Sequence, residues 1–325
     1  MKNNKLLKAG VIGVGYMGFH HARIYSTLNN AVKLQGVYDI DFSKADLVAE
    51  NLGVKSYKSF EEIVDECDIL SIAAPTDKHH EIAIPCIKKG KHLLIEKPIA
   101  DSVEKAEEIK YYAEKLGVHV MVGFTERFNP AIRQLSNHIT NPIFIECRRM
   151  GPLPSRKPST GVLLDLMIHD IDIIVNYLMK NRQIKSISSV GNSVYNFTNN
   201  EDIAVGKVIF DNGSIAIMTA SRCYPSKERK MRIVQPNNSI YVDLILQYME
   251  IHHVPSNIYK NTDVESFEVK IEIPNIIREE SLKLEIMEFV NSVINDREPL
   301  VNLENGIKSL KIAMKMLENI EIAKI

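Results

Sequence analysis

The sequence predicts an α/β domain built on a doubly wound parallel sheet, followed by an α+β domain with an open, mainly antiparallel sheet. Three observations carry that reading. Short β-branched apolar runs alternate with helical stretches between residues 8 and 124. A tight glycine cluster sits at the first strand-to-helix junction. After residue 125 the alternation gives way to successive strands joined by hairpin-like turns. The domains are accordingly residues 1–124 and 125–325, with the C-terminal helix able to pack back on the first domain.

The apolar runs are 9–14, 32–38, a weak 54–57, 69–74, 92–95 and 118–124, and the helical stretches between them are 16–29, 43–52, 60–65, 78–89 and 102–116. Near-continuous apolar strands separated by helices are what a parallel sheet covered on both faces requires. The second half begins with a helix over 126–138, a strand over 143–149, a proline-rich loop over 151–158 and a long helix over 161–179. Strands follow from 184 to about 271, among them 204–210 and 214–221 joined by Asp211-Asn212-Gly213. Partial alternation there reads as antiparallel pairing through hairpins. Helices over 280–295 and 303–323 close the chain.

Composition excludes several functions. Lys and Arg total 40 against 41 Asp and Glu, a net charge of -1, so no positive excess is present to condense on a phosphate backbone. Nucleic acid and membrane surfaces are therefore not expected partners. No uninterrupted apolar run approaches the ~18 residues of a membrane span. The basic start is followed only by a short, glycine-broken apolar stretch, so no secretion signal is read and a cytoplasmic location is expected. Cys67, Cys86, Cys147 and Cys223 lack C-x-x-C spacing, which suits reduced thiols and no metal.

Glycine is scarce, 15 in 325 residues against an average of ~7%, yet Gly10, Gly13, Gly15 and Gly18 fall within nine residues. Val11-Ile12-Gly13-Val14-Gly15-Tyr16-Met17-Gly18 matches G-x-G-x-x-G, follows a strand, opens a helix and has Asp39 at the end of the next strand. Gly13 serves the tight turn, Gly15 lets the backbone reach a pyrophosphate, and Gly18 lets helix and strand pack closely. Gly10 is a strand residue. Asp39 accepts from a ribose 2′-hydroxyl and repels a 2′-phosphate, which predicts NAD over NADP.

Two further constellations carry polar groups. The strand ending at Ile95 delivers Glu96 and Lys97 at its carboxyl end, where open α/β sheets bind ligands, although Glu-Lys-Pro is also an ordinary polar exit from a strand. Asp165, His169 and Asp172 share one stripe of an apolar helix. Such groups are costly among Leu, Ile and Met unless paired. They read either as a functional set or as helix charge complements beside a satisfied core histidine.

The stretches G-x-G-x-x-G, P-T-x-x-H, G-K-H-x-L-x-E-K-P and L-x-D-x-x-x-H-D-x-D, in that order and across most of the chain, resemble the glucose-fructose oxidoreductase / inositol dehydrogenase / MocA family. The resemblance implies that Lys97 touches the nicotinamide ribose and the reacting hydroxyl. It implies that Tyr16, Met17, Thr76, His79 and Glu96 line the cofactor with the glycine loop, while His80 faces solvent. It further implies that His169 is the acid/base and that Asp165 positions or polarises the Lys97/His169 pair. The family usually carries D-x-G-x-H, whereas Met167 stands at that glycine position here, where a long side chain narrows the pocket or repacks the helix.

Residues 123–131 and 151–156 look more like the nucleotide-sugar branch, the UDP-N-acetylglucosamine 3-dehydrogenases, than the inositol branch. On that resemblance Asn129 and Asp172 join Lys97 and His169 as substrate contacts; Arg156 is added as a basic residue of the loop, and Tyr224 with Arg222, beyond the strand 214–221, as residues able to stack on or bond to a uridine. Arg148, Arg149, Arg156 and Lys157 are suited to grip a pyrophosphate and equally to form a solvated charged surface. The expected function is NAD-dependent oxidation of a secondary sugar hydroxyl, at C3 of a UDP-N-acetylhexosamine. The alternatives are a free polyol or monosaccharide dehydrogenase and a non-catalytic dinucleotide-binding sensor. An antiparallel sheet covered on one face leaves the other to a second subunit, so a homo-oligomer, dimer or tetramer, is expected.

Overall fold

The computed structural model describes residues 6–155, 158, 160–195, 200–254 and 269–324. They form two compact units. One runs to Thr125 and adds Glu280–Leu310; the other is Glu126–Glu279 with the chain from Lys311 onward.

In the first unit β1 (Leu7–Ile12), β2 (Val32–Tyr38), β3 (Lys55–Ser56), β4 (Ile69–Ile72), β5 (His92–Glu96) and β6 (Val120–Gly123) form a sheet in the order β3-β2-β1-β4-β5-β6. Every pair is parallel. Helices α1 (Tyr16–Thr27), α2 (Phe42–Leu52), α3 (Phe60–Glu66), α4 (Thr76–Lys88) and α5 (Val103–Leu116) make the crossovers. β4 and β6 are buried at every position, so the sheet needs helices on both faces. Ser59 and Ser102 cap α3 and α5, and Gly53 and Gly117 end α2 and α5 in the left-handed conformation. The strand order reverses between β1 and β4, and sheets of this kind bind ligands beyond the carboxyl ends of those two strands.

The loop after β1 is packed against the loop after β4. A Cβ on Gly13, which has φ +85°, would lie 2.7–2.9 Å from the Ala73–Ala74 backbone, and one on Gly18 would collide with the Gly13 carbonyl. Residues 280–310 complete this unit. Arg23 pairs with Glu280, His119 with Asp296 and Lys110 with Glu304, while Val122 donates its N–H to the Val301 carbonyl at 3.0 Å.

Among the described residues the second unit carries a nine-stranded sheet. Its strands are β7 (Phe144–Met150), β8 (Ile184–Ser193), β9 (Ile203–Phe210), β10 (Ile215–Ser221), β11 (Glu228–Gln235), β12 (Asn238–Asp243), β13 (Tyr248–His253), β14 (Lys270–Glu272) and β15 (Glu321–Lys324), in the order β14-β13-β12-β11-β7-β10-β9-β8-β15. Only β7/β10 and β8/β15 pair in parallel; the other neighbours are antiparallel. On β10 the alternation buries Ala216, Met218 and Ala220 and leaves Ile215 partly open. The open face carries a row of apolar residues across four strands, Ile209, Ile215, Phe144 and Val234.

Three local expectations change. The helix over 126–138 is a 3₁₀ turn (Thr125–Phe128) followed by α6 (Pro130–Leu135), because Asn129 caps a new start and Pro130 occupies its first position. The long helix over 161–179 holds two wide π turns, Leu163–Met167 and Ile173–Leu178, around α7 (Ile168–Asp172). After α8 (Ser281–Ile294), the last helix, α9 (Leu303–Glu318), stops earlier than its expected residue 323, and the chain leaves as β15 along β8. Among the described residues no helix is long and apolar enough to cross a membrane.

The two glycines of the first turn separate packing from openness. Gly18→Ala is expected to cost about 1–3 kcal/mol in chemical denaturation, because its Cβ has no room. Gly15→Ala, whose Cβ meets nothing within 4 Å, is expected to stay within about 0.5 kcal/mol of wild type.

Candidate active site

In the first unit the candidate residues begin at the turn from β1 into α1. Gly13 N–H donates to the Tyr38 carbonyl at 2.8 Å, and Val14 N–H donates to Asp39 Oδ2 at 2.8 Å. Asp39 Oδ1 accepts the Asp41 N–H at 2.9 Å. Each carboxylate oxygen has a second lone pair, so Asp39 braces the loop and can still accept from a ribose hydroxyl. α1 starts at Tyr16 with no side-chain cap on Gly15 and no acidic residue in its first turn. Its positive end is therefore not neutralised locally, and the space over Gly15 is open. Tyr16 is exposed, Met17 half-buried and Gly18 buried. A dinucleotide's diphosphate fits this cradle in charge and in room.

β4 and β5 supply the next residues. Thr76, half-buried, is the first residue of α4 after Pro75. His79 is buried, with Nδ1 2.9 Å from the Pro98 carbonyl and Nε2 2.9 Å from the Ala74 carbonyl. Burial pulls its pKa below the ordinary histidine value even though both carbonyls favour the charged ring. A neutral ring has one N–H and donates to one of these two carbonyls, and buried against both of them it is not the cofactor contact that the sequence led us to expect. Glu96 is buried, with Oε1 3.0 Å from His21 Nε2 and Oε2 accepting the Lys97 N–H at 3.3 Å. Lys97, half-buried, follows at the carboxyl end of β5 and precedes a cis Pro98. His80 forms a surface pair with Glu108 at 2.9 Å.

In the second unit the helix over 161–179 starts against Glu201, which accepts the Leu163 N–H at 2.9 Å and whose pKa burial raises. Asp165 and His169 are half-buried, while Met167 between them is fully buried. A Cβ on Gly206 would lie 2.9 Å from the Met167 sulfur. Glycine on β9 therefore makes room for methionine on the helix, and Met167 repacks inward against the sheet.

Asp170 is gripped by Arg149, whose Nε and Nη2 donate to its two oxygens at 3.0 and 2.7 Å while Nη1 donates to Glu126 at 2.8 Å. Burial disfavours ionised Glu126, but Arg149 and Arg229 offset this and hold its carboxyl below the usual range. Arg149 is almost fully buried, which removes it from the expected pyrophosphate grip. A signal was present: alternation along β7 sets Arg149 on the buried side with Ile145 and Cys147.

Three substrate-side expectations are also corrected. Asp172 is fully buried and takes Arg127 Nη1 at 3.2 Å and Asn176 Nδ2 at 2.9 Å. Asn129 is buried, its oxygen accepting the Ala131 N–H and its amide donating to the Leu244 carbonyl. Arg222 is buried against Asp202 and the Thr160 carbonyl, so it does not accompany the part-exposed Tyr224. Arg148 pairs with Glu228 at 3.3 Å. Arg156 and Lys157 lie outside the described residues. The four cysteines are free. One group of described residues, His21, Glu96 and Glu285, is close enough to hold an ion, but His21 already meets Glu96 and Ser71 directly.

Known proteins match residues of both units. Residues 7–124 match the family model described as an oxidoreductase family with an NAD-binding Rossmann fold, and residues 136–241 match the GFO/IDH/MocA C-terminal domain. The chain is 28% identical over 316 residues to a UDP-N-acetylglucosamine 3-dehydrogenase of Acidithiobacillus ferrooxidans, covering 97% of each chain. A solved structure of that enzyme superposes with a TM-score of 0.88 at 27% identity, over 97% of this chain and 98% of the other. A scyllo-inositol 2-dehydrogenase (NAD(+)) of Bacillus subtilis is 28% identical over 327 residues, covering 93% of this chain and 92% of the other. The chain belongs to the glucose-fructose oxidoreductase / inositol dehydrogenase / MocA family and is an NAD-binding dehydrogenase of the sugar and polyol class.

Proposed function

We propose that this protein oxidises a secondary hydroxyl of a nucleotide sugar, with C3 of a UDP-N-acetylhexosamine as the reacting position. The observation that carries the reading is the pattern of exposure. Lys97 at the end of β5, and Asp165 and His169 on a helix whose neighbouring residues are largely buried, stay partly open. Similarity to a UDP-N-acetylglucosamine 3-dehydrogenase along 97% of both chains supports the substrate class. The inositol dehydrogenase at the same identity supports the runner-up, a free polyol.

The chemistry suits these residue types. NAD, when bound, takes the hydride. His169 accepts the hydroxyl proton, histidine being the side chain whose ordinary pKa lies nearest physiological pH. Lys97 donates to the same oxygen and stabilises its developing negative charge. Asp165, one helical turn before His169, orients the imidazole. Asp39 selects NAD through the adenosine ribose. Tyr224 remains a substrate contact by its exposure. The apolar row Ile209, Ile215, Phe144 and Val234 supports assembly of the open sheet face with a second copy.

Absorbance of reduced nicotinamide, followed with UDP-N-acetylglucosamine, myo-inositol and glucose, tests the reading: UDP-N-acetylglucosamine should give the largest kcat/KM, and silence with all three would sink it. Lys97→Ala and His169→Ala should each lower kcat by about 10²–10⁴-fold, the histidine variant keeping its NAD affinity. Wild-type turnover in either removes that residue from the mechanism. In Asp39→Ala both cofactors lose the brace on Val14 alike, so the NAD/NADP ratio of kcat/KM isolates the ribose contact. It should fall about tenfold or more, the worth of a hydrogen bond to a charged group; an unchanged ratio counts against the assignment.

A further inference from the structure

We propose that His21 is a positioning residue for Lys97, acting through the carboxylate of Glu96. The inference rests on Lys97 contacting the reacting oxygen. His21 lies on α1, nine tenths or more buried, with Nε2 3.0 Å from Glu96 Oε1 and Nδ1 3.1 Å from Ser71 Oγ. Tyr25, one turn further along α1, places its hydroxyl 3.0 Å from the same Ser71 oxygen. The other oxygen of Glu96 takes the Lys97 N–H at 3.3 Å.

One arrangement of protons satisfies every link. Tyr25 O–H donates to Ser71, Ser71 O–H donates to His21 Nδ1, His21 Nε2–H donates to Glu96 Oε1, and Lys97 N–H donates to Glu96 Oε2. Burial raises the Tyr25 pKa, which keeps the phenol a donor at the head of the chain. In this arrangement the histidine carries its proton toward Glu96. A buried carboxylate is costly without such partners. Glu285, a carboxyl group within 4.8 Å of His21 and Glu96, takes its own donor from Thr125 Oγ1 at 2.9 Å. The same helix that opens at the glycine loop therefore sets the backbone from which Lys97 projects.

Two variants of one residue separate positioning from packing. His21→Asn keeps a polar atom near Nδ1, facing Ser71, and loses the donor to Glu96. His21→Gln keeps a donor near Nε2 and loses the Ser71 partner. With whichever sugar of the panel above is turned over, His21→Asn should lower kcat by about tenfold to a hundredfold, as displacement of a reacting group does, with NAD affinity retained. His21→Gln should restore most of it. Amide hydrogen exchange at Lys97, which needs no substrate, should be faster in His21→Asn than in wild type and close to wild type in His21→Gln.

Equal losses in both variants, or wild-type exchange and turnover in His21→Asn, overturn the proposal. Should neither His21 variant fold, Glu96→Gln sets an amide N–H against one of its two donors at unchanged volume, and wild-type turnover and exchange there overturn the proposal as well. Lys97→Ala distinguishes the two claims. If it turns over normally, the Lys97 assignment has failed; if it is inactive while His21→Asn is not, only the positioning claim has.

Discussion

The first unit depends on one buried carboxylate. Glu96 ends β5 inside the sheet, and a carboxylate there is tolerated only if both its oxygens are met. His21 meets one and the Lys97 amide the other. Ser71 on β4 and Tyr25 on α1 complete the chain behind the imidazole, and His79 on α4 lies 2.9 Å from the Pro98 carbonyl. Elements far apart in sequence are thereby tied to the two residues following one strand. Lys97 inherits its placement from that constraint.

The second unit solves a parallel problem with the opposite charge. Arg149 points into the helix-covered face of its sheet and is matched by Asp170 and Glu126. Truncating one partner of such a network leaves an uncompensated buried charge, which is why buried ionic groups constrain geometry more than they stabilise the fold. Asp170 follows His169 directly, so the fork on Asp170 holds the backbone that carries the proposed base. Arg127 with Asp172 repeats the device two residues on. In both units the residue proposed for chemistry stays partly open while its chain neighbour is locked.

That pairing explains what could be read from sequence. The six parallel strands, the glycine turn and the placement of Lys97 and His169 are legible, because apolar periodicity and backbone-imposed glycines act locally. His79, Glu96, Asn129 and Asp172 are not. A polar residue in an apolar segment announces that it needs a partner without saying whether the partner is ligand or chain, and here it is the chain in all four cases. Met167 was legible as an anomaly, but its resolution lies in Gly206, a residue on another element. The exit of the chain into β15 rather than further helix is decided by the free edge of β8, a tertiary feature that a four-residue segment cannot encode alone.

The proposed function has Lys97, Asp165 and His169, all partly exposed, move a hydroxyl proton while a hydride leaves the carbon that bears that hydroxyl. The proposed reaction specifies which carbon. The most direct measurement is oxidation of UDP-N-acetylglucosamine deuterated at C3, with the reduced nicotinamide recovered and weighed. The account predicts deuterium in the cofactor and slower turnover than with the unlabelled sugar. Reduced cofactor free of deuterium would contradict it, because the hydride would then have come from another position.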